Sequence, residues 1–379
     1  MSASLRELAV LFLKLGTIGF GGPAAHIAMM EDEVVKRRQW LSRDEFLDLL
    51  GVTNLIPGPN STEMAIHIGL RRAGWKGLVI AGVCFILPAV LVTLLFAHLY
   101  VVYGSMPQLG SVINGIRAGV LAVIVAAVVR LGKPFLGKRF MIFIGVLALN
   151  LFGIDEILLL FGAGAAGLLW TYTRQSKDVR LPAFLPVPAW NLSTLIPAFG
   201  TGMMVGATLP ELGLFFLKIG FVLYGSGYVL FAFLESGLVE ARHWIMQSQL
   251  LDAIAVGQVT PGPVLSTATF LGYVILGFPG AAAATAGIFL PSFLLVLAVS
   301  PFVPRLRSSP LAGGFLDGVT AASLGLMLAV GTVFASTTLN DTVSWGIFAA
   351  AGLGIVFRNL NNIWVVAGSA LAGWIFGFL

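Results

Sequence analysis

The chain has 379 residues, of which 58% are hydrophobic and only 10% are charged, whereas soluble domains carry roughly 25% charged residues. This composition excludes an ordinary soluble domain and predicts an all-α, polytopic membrane protein. The formal net charge of +5 comes from basic residues in short loops between apolar segments. That pattern is typical of membrane topology signals and argues against nucleic-acid binding.

The first half opens with an apolar segment, 5–30, which Phe20-Gly21-Gly22-Pro23 interrupts. A charged amphipathic stretch, 31–48, follows. Segments 45–57 and 60–69 are each too short to span roughly 30 Å of hydrocarbon. We interpret them as half-helices that meet at Pro57-Gly58-Pro59, where two prolines remove backbone N–H groups. Longer apolar segments lie near 76–101, 111–130, 139–152 and 155–173.

A proline-rich linker, 181–210, separates an N-terminal repeat, 1–180, from a C-terminal repeat, 211–379. Residues 189–207 within the linker could cross the membrane once. Apolar segments of the second half lie near 212–236, 245–275, 280–301, 311–335, 343–357 and 361–378, and Pro261-Gly262-Pro263 breaks the second of them. Counted against a 20-residue span, the chain has roughly 10 to 13 membrane segments.

The two halves repeat each other at an offset of 204 residues. Lys14 matches Lys218, and Pro57-Gly58-Pro59 matches Pro261-Gly262-Pro263; after one deletion Pro88 matches Pro291. This agreement indicates a duplication. Basic and uncharged loops alternate in opposite phase in the two halves, which predicts inverted topology and the broken half-helices of secondary transporters.

Paired helix breaks point to a transporter's binding site, because the freed backbone groups must be buried or line a polar cavity. The expected substrate-binding residues are those at the breaks together with the intramembrane cations. They are Lys14, Gly21, Gly22, Asn54, Pro57, Gly58, Pro59, Asn60, Ser61, Thr62, Arg117, Lys218, Gly225, Ser226, Thr260, Pro261, Gly262 and Pro263.

The cations have different chemical suitability. Arg117 is best suited to bidentate contact with an oxyanion. Lys14 and Lys218 could bind the anion or could extend to the membrane interface instead. Asp252 and Asp317 are candidate charge partners. The single cysteine, Cys84, excludes a metal site built on thiolates, and no cofactor is expected.

Glu63 has two interpretations. With Asn60 as N-cap it could complete a capping box. Alternatively, it could take up a proton when a dianion binds and release it otherwise, which would couple protons to anion movement. His26 could shuttle protons near neutral pH or could be a hydrogen-bonded core histidine.

Phe-Gly-Gly-Pro at 20–23, the repeated Pro-Gly-Pro and the two-half layout resemble the chromate ion transporter (CHR) family over nearly the whole chain. The resemblance implies proton-driven export of chromate from the cytoplasm across the bacterial inner membrane, and hence chromate resistance. Sulfate, a tetrahedral mimic, could compete. The second half has Tyr224-Gly225-Ser226-Gly227 in place of the first motif, so we expect the first half to make more of the substrate contacts.

Two alternatives remain beside the exporter. One is a channel or carrier for sulfate or another tetrahedral oxyanion. The other is an intramembrane hydrolase, which is disfavoured because the sequence lacks a Gly-x-Ser-Gly nucleophile site and a His-Glu-x-x-His zinc motif. The expected partners are chromate, protons and the lipid bilayer, and either a monomer or a homodimer is compatible with two repeats in one chain.

Overall fold

The computed structural model describes residues 4–19, 23–104, 107–132, 136–175, 206–224, 227–302, 310–358 and 360–376. Within the first half the α-helices are α1 (Leu5–Ile18), α2 (Pro23–Glu31), α3 (Arg43–Thr53), α4 (Asn60–Tyr103), α5 (Pro107–Gly132), α6 (Leu136–Leu151) and α7 (Glu156–Gln175). Within the second half they are α8 (Leu209–Val222), α9 (Leu230–Leu234), α10 (Gln247–Val259), α11 (Thr267–Val299), α12 (Pro310–Thr338), α13 (Thr342–Arg358) and α14 (Asn362–Phe376). The linker up to residue 205, with nearly all of its expected crossing, lies outside the described residues.

Five helices in the described part of the chain are long and apolar enough to cross a membrane. They cover Asn60–Tyr103, Gly110–Gly132, Glu156–Thr173, Val264–Val299 and Leu311–Thr338, and three shorter apolar helices accompany them at Arg139–Leu151, Thr342–Arg358 and Asn362–Phe376. The structure therefore confirms the predicted all-α, multi-pass membrane protein.

Helices α4 and α11 each turn back on themselves near their N-termini. Gly74 has φ 62° and ψ −153°, and Gly277 has φ 62° and ψ −151°, values that no α-helix contains. A Cβ on Gly69 would overlap the carbonyl of Gly77, although these residues would be about 12 Å apart in a straight helix. The predicted half-helix is thus the short arm of a helical hairpin, and the second half has the same hairpin.

The duplication is visible in unusual backbone geometry. Gln39 and His243, 204 residues apart, have positive φ values of 51° and 53°. A tryptophan follows each of them, and its backbone N–H donates to a carbonyl at the matching position of the repeat. Trp40 donates to Val34 at 2.7 Å, and Trp244 donates to Leu238 at 2.9 Å. Positive φ is uncommon for residues other than glycine, so its recurrence at this offset supports two copies of one structural unit.

The two halves are interlocked rather than side by side. Helix α1 packs on α4 and α8 packs on α11, within each half, and α4 packs on α11 between halves. Helix α5 packs on α13 and α14, whereas α12 packs on α6 and α7. Glycines allow close approach at these crossings: a Cβ on Gly318 would overlap the carbonyl of Ala163, and one on Gly115 would overlap that of Ser369. Each half therefore completes the other's core.

Candidate functional site

The two Pro-Gly-Pro breaks are held by reciprocal hydrogen bonds between the halves. We call Pro57-Gly58-Pro59 the first break and Pro261-Gly262-Pro263 the second break. The Gly58 N–H donates to the Leu223 carbonyl at 2.7 Å, and the Gly262 N–H donates to the Gly19 carbonyl at 2.8 Å. Both donors and both acceptors are related by the repeat offset. A contact that is exchanged in this way is what a two-fold relation between the halves produces.

Each break also contacts the residue that follows the proline inside the other half's long helix. A Cβ on Gly58 would overlap Glu63 Oε1 and lie 2.7 Å from Ser292 Oγ. A Cβ on Gly262 would lie 3.0 Å from Ala89 Cβ. Ser292 and Ala89 occupy the same position of the repeat, after Pro291 and Pro88. Each break thus lies against the long helix of the other half at a point where a proline has removed a backbone hydrogen bond. We call the region where the two breaks lie against α4 and α11 the crossing.

Glu63 is a buried carboxyl group at the first break. Its side chain is 0% exposed, and neither carboxylate oxygen has a hydrogen-bond partner of good geometry among the described residues. Ser292 Oγ is also buried, and both it and Glu63 Oε1 lie in the space that a Cβ on Gly58 would enter. An ionised carboxylate buried without a cation is costly. The position therefore suits a carboxyl group that gains and loses a proton.

The capping-box interpretation of Glu63 is wrong. Pro59, with an extended backbone, takes the N-cap position, so α4 begins at Asn60 and Glu63 falls one residue beyond N3. The Asn60 amide donates instead to Asn54 Oδ1 at 2.6 Å. Glu63 is therefore free of the structural task that the sequence offered as its alternative.

Buried hydroxyl groups surround the breaks. Ser61 and Thr62 are buried on the first turn of α4. Thr62 Oγ1 and Ser266 Oγ, which are related by the repeat offset, have no hydrogen-bond partner among the described residues. At the second break Thr93 Oγ1 lies 3.5 Å from Thr260 Oγ1. These hydroxyls can donate to an anion that reaches them.

Arg117 is paired with a carboxylate of the second half. Its Nε and Nη2 donate to the two Asp252 oxygens at 2.8 Å and 2.7 Å, and the Tyr100 hydroxyl donates to the same carboxylate at 2.8 Å. The expected partner Asp252 is thus found, while Asp317 pairs with Arg139 at 3.0 Å. This bidentate geometry neutralises the guanidinium that the sequence assigned to an oxyanion.

The two lysines are both exposed. Lys14 Nζ is 2.9 Å from Glu33, which also pairs with Arg37 and Arg38, and its side chain is 49% exposed. Lys218 is exposed and makes no ion pair among the described residues.

His26 is buried at the crossing. Its Nε2 lies 2.9 Å from the Gly19 carbonyl that also receives the Gly262 N–H. The expected site residues Gly21, Gly22, Gly225 and Ser226 lie outside the described residues. Sequence reasoning missed Ser292, Thr93 and Ser266, which only comparison of the two halves position by position would have indicated.

The family of the chain follows from its two matching halves. The sequence profile of the chromate transporter family matches residues 6–168 and again residues 210–374. The chain belongs to the chromate transporter family. Both Pro-Gly-Pro breaks lie inside the regions that this family's profile matches.

Members of the chromate transporter family match the chain over nearly its full length. The chromate transport protein of Cupriavidus metallidurans is 33% identical over 98% of this chain and 92% of its own length. The chromate transport protein of Pseudomonas aeruginosa is 33% identical with the same coverage. The probable chromate transport protein of Synechococcus elongatus is 30% identical over 98% of this chain and 96% of its own length. No solved structure matches.

Proposed function

We propose that the chain is a secondary transporter that exports chromate from the cytoplasm across a bacterial inner membrane, with chromate movement coupled to the proton gradient. The observation on which the proposal rests is Glu63, a fully buried carboxyl group with no ion-pair partner among the described residues, placed at the first break beside Ser292 of the other half. Chromate as substrate is supported by family membership and by the names of the relatives.

The proposed coupling follows from electrostatic repulsion. A chromate dianion and an ionised Glu63 in one water-poor site would repel each other strongly. Protonated Glu63 would allow the dianion to enter, and release of the anion would allow the proton to leave. Glu63 would then link occupancy by the anion to occupancy by the proton, as coupling in a transporter requires.

The architecture supports alternating access around this crossing. Opposite loop charges in the two halves favour inverted topology, and the exchanged Gly58 and Gly262 bonds fit a two-fold axis between the halves. In inverted-repeat transporters the site lies at the repeat interface, where broken helices present their N-termini. The helix starts after Pro59 and Pro263 have that character.

The test is chromate uptake into inside-out membrane vesicles, without a proton gradient and with proton gradients of either direction. We expect gradient-dependent accumulation for the unaltered chain. Glu63→Gln should keep uptake down a chromate gradient but lose its dependence on pH and on the proton gradient, because the amide cannot release a proton. Unchanged pH dependence in this variant would remove Glu63 from the proposal.

Glu45→Gln is the matched control. Glu45 is an exposed carboxylate on α3, and the hydrogen bond that the Ser42 backbone N–H donates to it at 2.8 Å lowers its pKa. It stays ionised across the neutral range, so its replacement should leave the pH profile of uptake unchanged. If the unaltered vesicles move sulfate but not chromate, the function becomes transport of another tetrahedral oxyanion; if they move neither, the proposal fails.

A further inference from the structure

The two breaks differ at positions that the repeat makes equivalent. Beside the first break, Ile56 and Val296 belong to one apolar cluster. Their equivalents beside the second break are Thr260 and Thr93, whose hydroxyl oxygens face each other at 3.5 Å. An apolar contact between the halves at the first break is therefore a pair of hydroxyl groups at the second break.

At two other pairs of equivalent positions the more polar residue lies at the first break. Glu63 and Ser292 lie at the first break, and their equivalents at the second break are Thr267 and Ala89. The only carboxyl group among these positions is thus at the first break. The second break has neutral hydrogen-bond donors and no carboxylate of its own at these positions.

None of the three cations expected to bind the oxyanion is placed at either break by a hydrogen bond or ion pair among the described residues. Arg117 is bidentate with Asp252, Lys14 is paired with Glu33, and Lys218 is exposed. Hydroxyl and backbone N–H donors are the groups that remain. The Thr93–Thr260 contact is at the long limit for a hydrogen bond. The Thr260 hydroxyl donates to the Val256 carbonyl at 2.7 Å, a bond that it would exchange for one to an anion. Ser266 Oγ is fully buried without a partner among the described residues.

We propose that the two breaks have divided the work of transport, with the second break binding the oxyanion through the hydroxyls of Thr93, Thr260 and Ser266. The first break, with Glu63 and Ser292, handles the proton. This inference rests on the proposed function and adds which break recognises the substrate. Two of the three hydroxyls come from the second half, contrary to the expectation from the sequence that the first half makes more of the substrate contacts.

The titratable groups around Glu63 are few among the described residues. Tyr224, from the segment after α8, interacts with Glu63 electrostatically. His67 lies one turn further along α4 and is buried, and His26 lies at the Gly19 carbonyl. Ser292 on α11 contributes a hydroxyl and no charge. A shift that Ser292→Ala causes in the pH profile of uptake must therefore be assigned to Glu63 or to one of these three groups.

The experiment measures KM for chromate and the pH profile of uptake in vesicles that contain equal amounts of each variant. Thr93→Val and Thr260→Val should each raise KM for chromate roughly tenfold or more, the factor expected for losing a hydrogen bond to a charged group, with the pH profile unchanged. Thr93→Ser keeps the hydroxyl, so its KM for chromate should equal that of the unaltered chain. Ser292→Ala, which copies Ala89, should shift the pH profile with little change in KM.

The matched control is Thr269→Val. Thr269, which is buried, and Thr285 form another threonine pair in α11, with Oγ1 atoms 2.7 Å apart. Thr285 donates to the carbonyl four residues earlier as Thr260 does. The KM for chromate and the pH profile of Thr269→Val should both match those of the unaltered chain. Unchanged KM in both valine variants at the second break, or an equal rise in KM for Thr269→Val, would overturn the division of work. The proposed function would survive either result, because it depends on gradient-driven uptake by the unaltered chain.

Discussion

Gly58 shows how a single residue sets the geometry of the crossing. Its φ of 139° lies in a region that residues with a side chain rarely adopt, and its N–H is bonded to the other half. The absent side chain leaves the space that Glu63 Oε1 and Ser292 Oγ occupy. Backbone conformation and close approach thus both require glycine here.

We predict that Gly58→Ala abolishes chromate uptake and lowers stability by about 1–3 kcal/mol from backbone strain alone. The added methyl group also displaces the Glu63 carboxyl group from the crossing. Uptake into vesicles and the melting temperature of the purified protein measure the two effects. Gly51→Ala, on α3 where a Cβ would meet nothing within 4 Å, is the control and should be neutral or slightly stabilising. Normal uptake by Gly58→Ala would show that the crossing tolerates a side chain.

At the scale of elements, a polar clamp joins three helices from both halves. Arg117 on α5 and Tyr100 on α4 both bind Asp252 on α10. The Arg117 side chain is 22% exposed and that of Asp252 is 6% exposed, so the pair is largely desolvated. Removing one partner of such a pair leaves an uncompensated charge, which costs more than the intact pair contributes.

Asp252→Asn is therefore predicted to destabilise the protein by about 3 kcal/mol, measured as a lower midpoint of thermal unfolding in detergent. The double variant Arg117→Gln, Asp252→Asn should recover much of this loss, because no unpaired charge remains. Its KM for chromate then tests the expectation that Arg117 binds substrate. A raised KM in a stable double variant would support that role, and an unchanged KM would make Arg117 a structural residue.

At the scale of the whole molecule, neither half has a complete core of its own. Helix α5 is covered by α13 and α14, and α12 by α6 and α7, so the tightest helix crossings outside the hairpins join residues of different halves. An isolated half would expose the small-residue faces around Gly115 or Gly318, through which membrane helices pack.

Splitting the chain between residues 190 and 191 tests this interlocking. We predict that each half expressed alone is degraded or aggregates, whereas the two halves expressed together co-purify and transport chromate. Co-purification through a tag on one half, followed by vesicle uptake, measures the outcome. A stable, protease-resistant single half would contradict the interlocked core.

Much of this fold was predictable because helix breakers act locally. Pro57, Gly58 and Pro59 prevent one helix from running from α3 into α4, whatever the tertiary surroundings. The repeat offset then located the second break. The hairpin turn at Gly74 was less visible, because a glycine next to apolar residues does not by itself specify a positive φ. The long apolar helices were found because hydrophobic length alone indicates a membrane span.

The site was predicted only in part, because contacts between helices distant in sequence depend on tertiary packing. Glu63 was identified from its position after a break, yet its partner Ser292 lies 229 residues later in the sequence. Arg117 was assigned to an oxyanion because charge alone does not show that Asp252 reaches it. The N-cap was misplaced by one residue because proline took a position that asparagine usually prefers.

The exchanged bonds of Gly58 and Gly262 have an evolutionary consequence. Two identical subunits that met through the same bonds would each supply every side chain, so any carboxyl group at the crossing would be present twice. Joining the two copies in one polypeptide lets each member of a pair mutate alone. One glutamate and one serine at mismatched positions, with threonine and alanine opposite them, are an arrangement that a symmetric dimer of identical chains could not have.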